Sequence, residues 1–203
     1  SLLHHKMNND RKEPSRFWPV RVADAYLLLQ KQDPKLAAAL IKGNSFNLPE
    51  HSLFTRVMPA EQKLEGIRKL VAKATGPNPF KRRAWTADLV AALRDLPAAE
   101  ALPPLRKLWE SDAGLRDSVA LVIAAHAQPA DRSRLIQALS SLQPGVVEQA
   151  ADAIAGMTGA SSPDELVAAL KALKPRLLNK KDTAARAALH KLLQVLSGQT
   201  IEI

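Results

Sequence analysis

Three adjacent cations, Lys81, Arg82 and Arg83, stand in the stretch GPNPFKRRAWTADLV, with Trp85 just beyond them. Such a cluster is suited to holding an anion, a nucleic-acid phosphate above all, because each neutralised phosphate adds affinity. On a helix starting near Phe80, Trp85, Leu89, Ala92 and Leu93 form one apolar stripe. The stems of Lys81 and Arg82 then cover Trp85, while Arg83 turns away and shares a face with Arg94. Successive residues sit about 100° apart, so the three cations span about 200° and make no flat patch. The expectation is a solvated first turn, with Lys81, Arg82 and Arg83 kept as a candidate anion contact.

Histidines and carboxylates are the next places to look for chemistry. His4, His5, Asn8 and Asp10 crowd together without regular spacing, and no two of the five histidines fall in a His-x-x-x-His ligand pattern. His51 follows Glu50 at a helix start, His126 suits a helix C-terminus and His190 reads as a boundary residue. GPNPFK lacks the glycine spacing and the Lys-Ser/Thr ending of a phosphate loop, and no Gly-x-Ser-x-Gly elbow occurs. Glu61/Glu65 and Asp164/Glu165 read as helix-start or salt-ladder acids on solvated faces rather than a convergent, desolvated pair. Zero cysteines exclude disulfides, thiolate metal sites, covalent haem attachment and cysteine nucleophiles. The expectation is a protein with no enzymatic activity, no metal and no cofactor.

What would position any site is helical. The 203 residues are 46% apolar but only 4% aromatic, so a core must be built from Leu, Ala, Val and Ile. No apolar run approaches the roughly 18–20 residues of a membrane helix. The opening SLLHHKMNND lacks the charged-then-apolar pattern of a signal peptide. Nothing assigns a compartment or an oligomeric state. Net charge is +9, and it is uneven: 17 cations face 10 anions in residues 1–100, against 12 and 10 in residues 101–203. A basic half invites a polyanion or an acidic partner, although solubility alone also explains it.

Helix starts are marked clearly. Ser162, Pro163 and Glu165 make a capping box; Asp33 caps a helix with Pro34 at its first position and Gly43 past its end. Asp182 and Gly198 bracket a closing helix, and Asp112 opens a helix halted before Pro129. Ala101, Leu105 and Leu108 form an i, i+4, i+7 stripe that returns as Leu135, Leu139 and Leu142, and again as Leu166, Leu170 and Leu173. The preceding helices keep step through Leu89/Leu93, Val119/Ile123 and Ala150/Ile154, with Pro97, Pro129 and Pro163 in or near the connections. A helix pair cannot bury its apolar face alone, so such units must stack.

By these lengths, DLVAALRDLPAAEALPPLRKLW and its two successors resemble the HEAT-like family of α-helical repeats, in a short-period form familiar from bacterial proteins. The period is shorter than the roughly 40–47 residues usual for that family. The resemblance implies an all-α fold: a right-handed α-solenoid of stacked antiparallel helix pairs. Residues 1–20 read as an N-terminal arm or cap, 21–78 as irregular helical pairs, and 79–203 as the regular array with its closing helix, together one continuous domain. Within 21–78, Glu61, Glu65, Lys69 and Lys73 make an i, i+4 salt ladder.

In a HEAT-like array the second helix of each pair lines the inner surface. That places Arg106, Lys107, Arg134, Gln137, Lys171 and Lys174 as a candidate partner-binding surface. The position after the central leucine runs Arg106, Ser140, Lys171, a ladder too broken to track a phosphate backbone. The expected function is a non-catalytic scaffold or docking module for a protein or a neighbouring domain. HEAT-like segments of this composition resemble those inside large bacterial multidomain proteins, some with a cytochrome-c-type domain, which implies only a spacer or docking role here. The alternative is nucleic-acid binding, since a family of DNA glycosylases is similar in fold class. Trp85, Trp109, Arg82 and Asp112 would then supply the cleft, although no motif joins them.

Overall fold

The computed structural model describes residues 18–42, 58–78, 80, 82–157, 162–179 and 181–197. Among them are ten α-helices and no strand: α1 (Trp18–Gln32), α2 (Pro34–Lys42), α3 (Ala60–Thr75), α4 (Ala87–Ala92), α5 (Ala98–Ser111), α6 (Arg116–Ala125), α7 (Arg132–Ala138), α8 (Pro144–Gly156), α9 (Pro163–Leu177) and α10 (Thr183–Ser197). None of the described helices is long and apolar enough to cross a membrane. The chain forms two compact units, Ser1–Asp95 and Leu96–Ile203, whereas the sequence reading begins its regular array at residue 79. Helix α1 starts inside the stretch read as arm or cap; residues 1–17 and Gly198 lie outside the described residues.

Side-chain caps set four of the described helix starts. In the first unit the Asp33 carboxylate accepts the Leu36 N–H at 3.0 Å, which seats Pro34 at the start of α2. Helices α1 and α2 pack together, and the buried Tyr26 hydroxyl donates to the Ala37 carbonyl at 2.9 Å. Helix α3 buries Ile67, Leu70 and Ala74 and packs with α4, which buries Leu89 and Val90. The Glu65–Lys69 step of the ladder closes at 2.6 Å.

The expected helix starting near Phe80 does not run through to Trp85: residues 82–86 are not helical, so Trp85 does not begin the α4 stripe. The reason is local competition for backbone groups. The Thr86 hydroxyl accepts the Leu89 N–H at 3.1 Å and starts α4 only at Ala87. The Arg83 N–H donates back to the Lys73 carbonyl at 3.2 Å, and Arg82 Nε donates to the Gly76 carbonyl. Both arginines therefore finish the C-terminal turn of α3, whose last carbonyls have no partner within the helix.

In the second unit, α6, α8 and α10 pack in succession, and α7 packs on α9. Consecutive helices also pack: α5 on α6, α6 on α7, α7 on α8 and α9 on α10. The stripes Ala101/Leu105/Leu108, Val119/Ile123 and Ala150/Ile154 are buried as the spacing requires. Helix α7, however, ends at Ala138, and Leu142 is 88% exposed. The Ser140 hydroxyl donates to the Gln137 carbonyl at 2.8 Å and the Ser141 hydroxyl accepts the Gln143 N–H at 3.1 Å. These local bonds close a turn before the helix reaches Leu142. On α9 the buried line is Ala169, Leu173 and Arg176, and Leu170 faces outward.

Leu139→Ala should then cost about 3 kcal/mol or more of unfolding free energy, as for a fully buried leucine. Leu142→Ala should stay within about 0.5 kcal/mol. Urea denaturation measures both, and equal losses would contradict this helix end.

Candidate functional site

The densest polar constellation of the second unit centres on Asp131, which has no exposed surface. It closes the 3-10 turn Pro129–Asp131 that leads into α7. From α5, Arg106 grips both carboxylate oxygens, Nε to Oδ1 and Nη2 to Oδ2, each at 2.7 Å. The same Nη2 donates to Gln128 Oε1 at 2.8 Å. One helical turn on, Arg134 Nη1 lies 3.7 Å from Asp131 Oδ1, and its Nη2 donates to Glu110 of α5 at 3.0 Å. The Asp131 hydrogen bonds hold the Arg106 guanidinium above its ordinary pKa, so its charge is permanent. Two members of the expected surface, Arg106 and Arg134, are thus neutralised inside the unit.

The next joint uses the same chemistry. Buried Arg132 of α7 reaches Glu165 of α9 at 3.5 Å and the Met157 carbonyl at 3.5 Å. Buried Arg176 of α9 donates through Nε to Asp182 at 2.6 Å and through Nη1 to the Ser141 carbonyl at 2.5 Å. Asp182 also caps α10, accepting the Ala185 N–H at 3.0 Å. Arg176, then that N–H, hold its carboxyl below the usual aspartate range. Glu165 meanwhile completes the Ser162 capping box, so one carboxylate serves a local and a tertiary bond.

The remaining candidates face outward. Gln137 and Lys171 line a groove of about 530 Å³ with Trp109, Arg116, Ser140 and Ser141. Arg116 lies 5.6 Å from the Trp109 ring centroid, and its Nε donates to the Trp109 carbonyl at 3.1 Å, which fixes one wall of the groove. Lys107 is exposed, and Lys174 with Lys171 borders a second, apolar recess on α9. Arg82 and Arg83 belong to the first unit, and Lys81 lies outside the described residues. The described residues contain no group of three or more His, Cys, Asp or Glu placed to hold a metal. His190 Nε2 lies 3.4 Å from Gln194 Nε2, one turn along α10.

Sequence reasoning missed Asp131, Arg132, Arg176 and Asp182 as tertiary partners. An acid two residues past Pro129 reads as an ordinary helix-start acid, and nothing in the string pairs it with Arg106 twenty-five residues earlier. The only available signal is that Arg106, Arg132 and Arg176 interrupt otherwise apolar or weakly polar helix faces.

Asp131→Ala should cost about 3 kcal/mol, the low end for breaking a buried pair because the Arg106 side chain is 29% exposed. Adding Arg106→Met should recover about 1 kcal/mol or more, since it removes the stranded charge. Purely additive losses in a denaturation cycle would refute the pairing. For Asp182 the folded pKa lies below the unfolded one. Its stabilisation is therefore in place above about pH 4 and is lost as pH falls through the depressed value. The Tm gap between wild type and Asp182→Asn should hold above about pH 4 and narrow as the pH falls below it; a gap that stays constant into the acid range would contradict it.

No family model, curated protein or solved structure matches the chain.

Proposed function

We propose that the chain is a non-catalytic docking module whose second unit is a short-period, HEAT-like, right-handed α-solenoid of antiparallel helix pairs. Its partner is a protein or a neighbouring domain, held on the surface of α5, α7 and α9. The alternating packing of α6, α8 and α10, with α7 on α9, supports the stacked-pair reading. The observation that carries the functional reading is how the surface charges are divided. Arg106 and Arg134 are consumed by Asp131 and Glu110, while Lys107 stays exposed and Gln137, Lys171 and Lys174 stay exposed at a groove and a recess. Fixed arginines shape the surface and exposed side chains are left to contact a partner.

The rival is a glycosylase-like nucleic-acid protein, favoured by the +9 charge. In the second unit its cleft residues are otherwise engaged. Trp109 is buried and flanked by Arg116, and the Asp112 carboxylate accepts the Gly114 N–H at 2.9 Å. A buried indole offers no open face for base stacking. In the first unit the Arg82 guanidinium rests on the Gly76 and Pro77 carbonyls.

Fluorescence anisotropy with labelled duplex and single-stranded DNA at about 50 and about 200 mM salt separates the two. The docking reading expects either no binding or weak binding that the higher salt abolishes. Micromolar or tighter binding that survives the higher salt, and that Arg82→Ala or Lys171→Ala weakens, would replace it with the nucleic-acid reading.

A further inference from the structure

Helix α9 carries a second apolar line besides its buried one. Val167, Leu170, Lys174 and Leu177 follow steps of three, four and three, the a/d spacing of a helix–helix seam. At about 100° per residue this line lies roughly 120° around the helix from Ala169, Leu173 and Arg176, so both cannot face the same neighbours. The structure buries the latter and leaves Val167, Leu170 and Leu178 exposed. Together with Lys171, Lys174 and Leu177 they line a recess of about 410 Å³.

We infer that this recess is a docking seam for an acidic amphipathic helix, and the inference rests on the docking-module reading above. Spacing and charge together choose this occupant. A helix packing along an a/d line places its own e and g side chains beside those of α9, where Lys171 holds an e position. Lys174 occupies an a position inside the apolar line. Neither lysine has an ion-pair or hydrogen-bond partner among the described residues, and the lining contains no carboxylate. A partner helix with leucines at its seam and glutamates at its flanks covers the leucines and neutralises both cations. A second copy of the chain fits poorly. Two α9 seams related by a two-fold axis bring Lys171 and Lys174 against their counterparts, a like-charge arrangement that costs binding energy.

The test uses the full chain and a labelled peptide of three heptads, Leu at a and d, Glu at e and g, whose own charges oppose self-pairing. Its match with Lys in place of Glu is the control. The glutamate peptide should bind at least about tenfold more tightly than the lysine peptide. Lys171→Glu/Lys174→Glu should reverse that preference, and Leu170→Asp should abolish binding of both. These positions are exposed, so far-UV circular dichroism and Tm should stay at wild-type values. Equal affinity for the two peptides, no binding of either, or indifference to the double charge reversal overturns the seam. So does capture of the chain by phosphatidylserine vesicles that Leu170→Asp abolishes, which makes the face a lipid contact. A dimer in sedimentation that Leu170→Asp dissociates makes it a self-contact and overturns the seam equally. Salt-resistant DNA binding removes the docking reading itself, whereas peptide failure without DNA binding removes only this seam and leaves the groove at Gln137 and Lys171.

Discussion

A carboxylate with no exposed surface needs fixed donors in place of its water. For Asp131 those donors are the two arms of the Arg106 guanidinium, aided by Arg134. Dehydrating both ions costs several kcal/mol, which the planar two-bond fork repays only in one geometry. Leucines can slide past one another with modest loss. The Arg106–Asp131 fork cannot, so it fixes the register of α5 against the start of α7. Arg132 and Arg176 impose comparable restrictions between α7, α9 and the start of α10. Arg132 Nε and Arg134 Nε remain buried without a hydrogen-bond partner, which is a cost rather than a gain. These arginines are better understood as setting alignment than as adding stability.

That use of arginine decides what the surface can offer. A cation held in a bidentate pair presents little net field and no free donor to a partner. Of the six residues expected to line one surface, Arg106 is occupied in this way and Arg134 is paired with Glu110 beside Asp131, and the exposed lysines carry the remaining charge. Lys107, Lys171 and Lys174 are long, solvated point charges, suited to rim contacts and electrostatic selection more than to rigid bidentate recognition. The Arg116–Trp109 stack adds a fixed wall to one groove without opening the indole for stacking by another group.

The legible and illegible parts of the sequence divide by the range of the interaction. Asp33, Thr86, Asp182 and the Ser162–Glu165 box act within three residues, and all but Thr86 were readable from the string. The stripes of α5, α6 and α8 were readable because one apolar face met one set of neighbours. Trp85 failed because Arg82 and Arg83 had a use for their donors at the C-terminal end of α3, six and ten residues back. Leu142 failed because two serines closed a turn that apolar periodicity alone does not register. Leu170 failed because α9 has two candidate faces, and the bonds of Arg176 to Asp182 and the Ser141 carbonyl, with the Glu165–Arg132 contact, choose between them.

That last case joins fold to function. Once Arg176 is committed to Asp182 and the Ser141 carbonyl, α9 is locked about its own axis, with Ala169 and Leu173 turned inward. Its second line, with Val167, Leu170 and Leu177, is then held outward by the same bonds, and it cannot rotate into the core to escape water. An exposed leucine on a flexible segment can be hidden by local rearrangement; one on an axially fixed helix cannot. A buried arginine therefore holds a standing apolar surface about 120° around the helix, and the two lysines beside it, unpaired among the described residues, supply the positive charge on which the proposed acidic partner rests. The polar clamp that aligns the helices is, by geometry, also what keeps the α9 recess open.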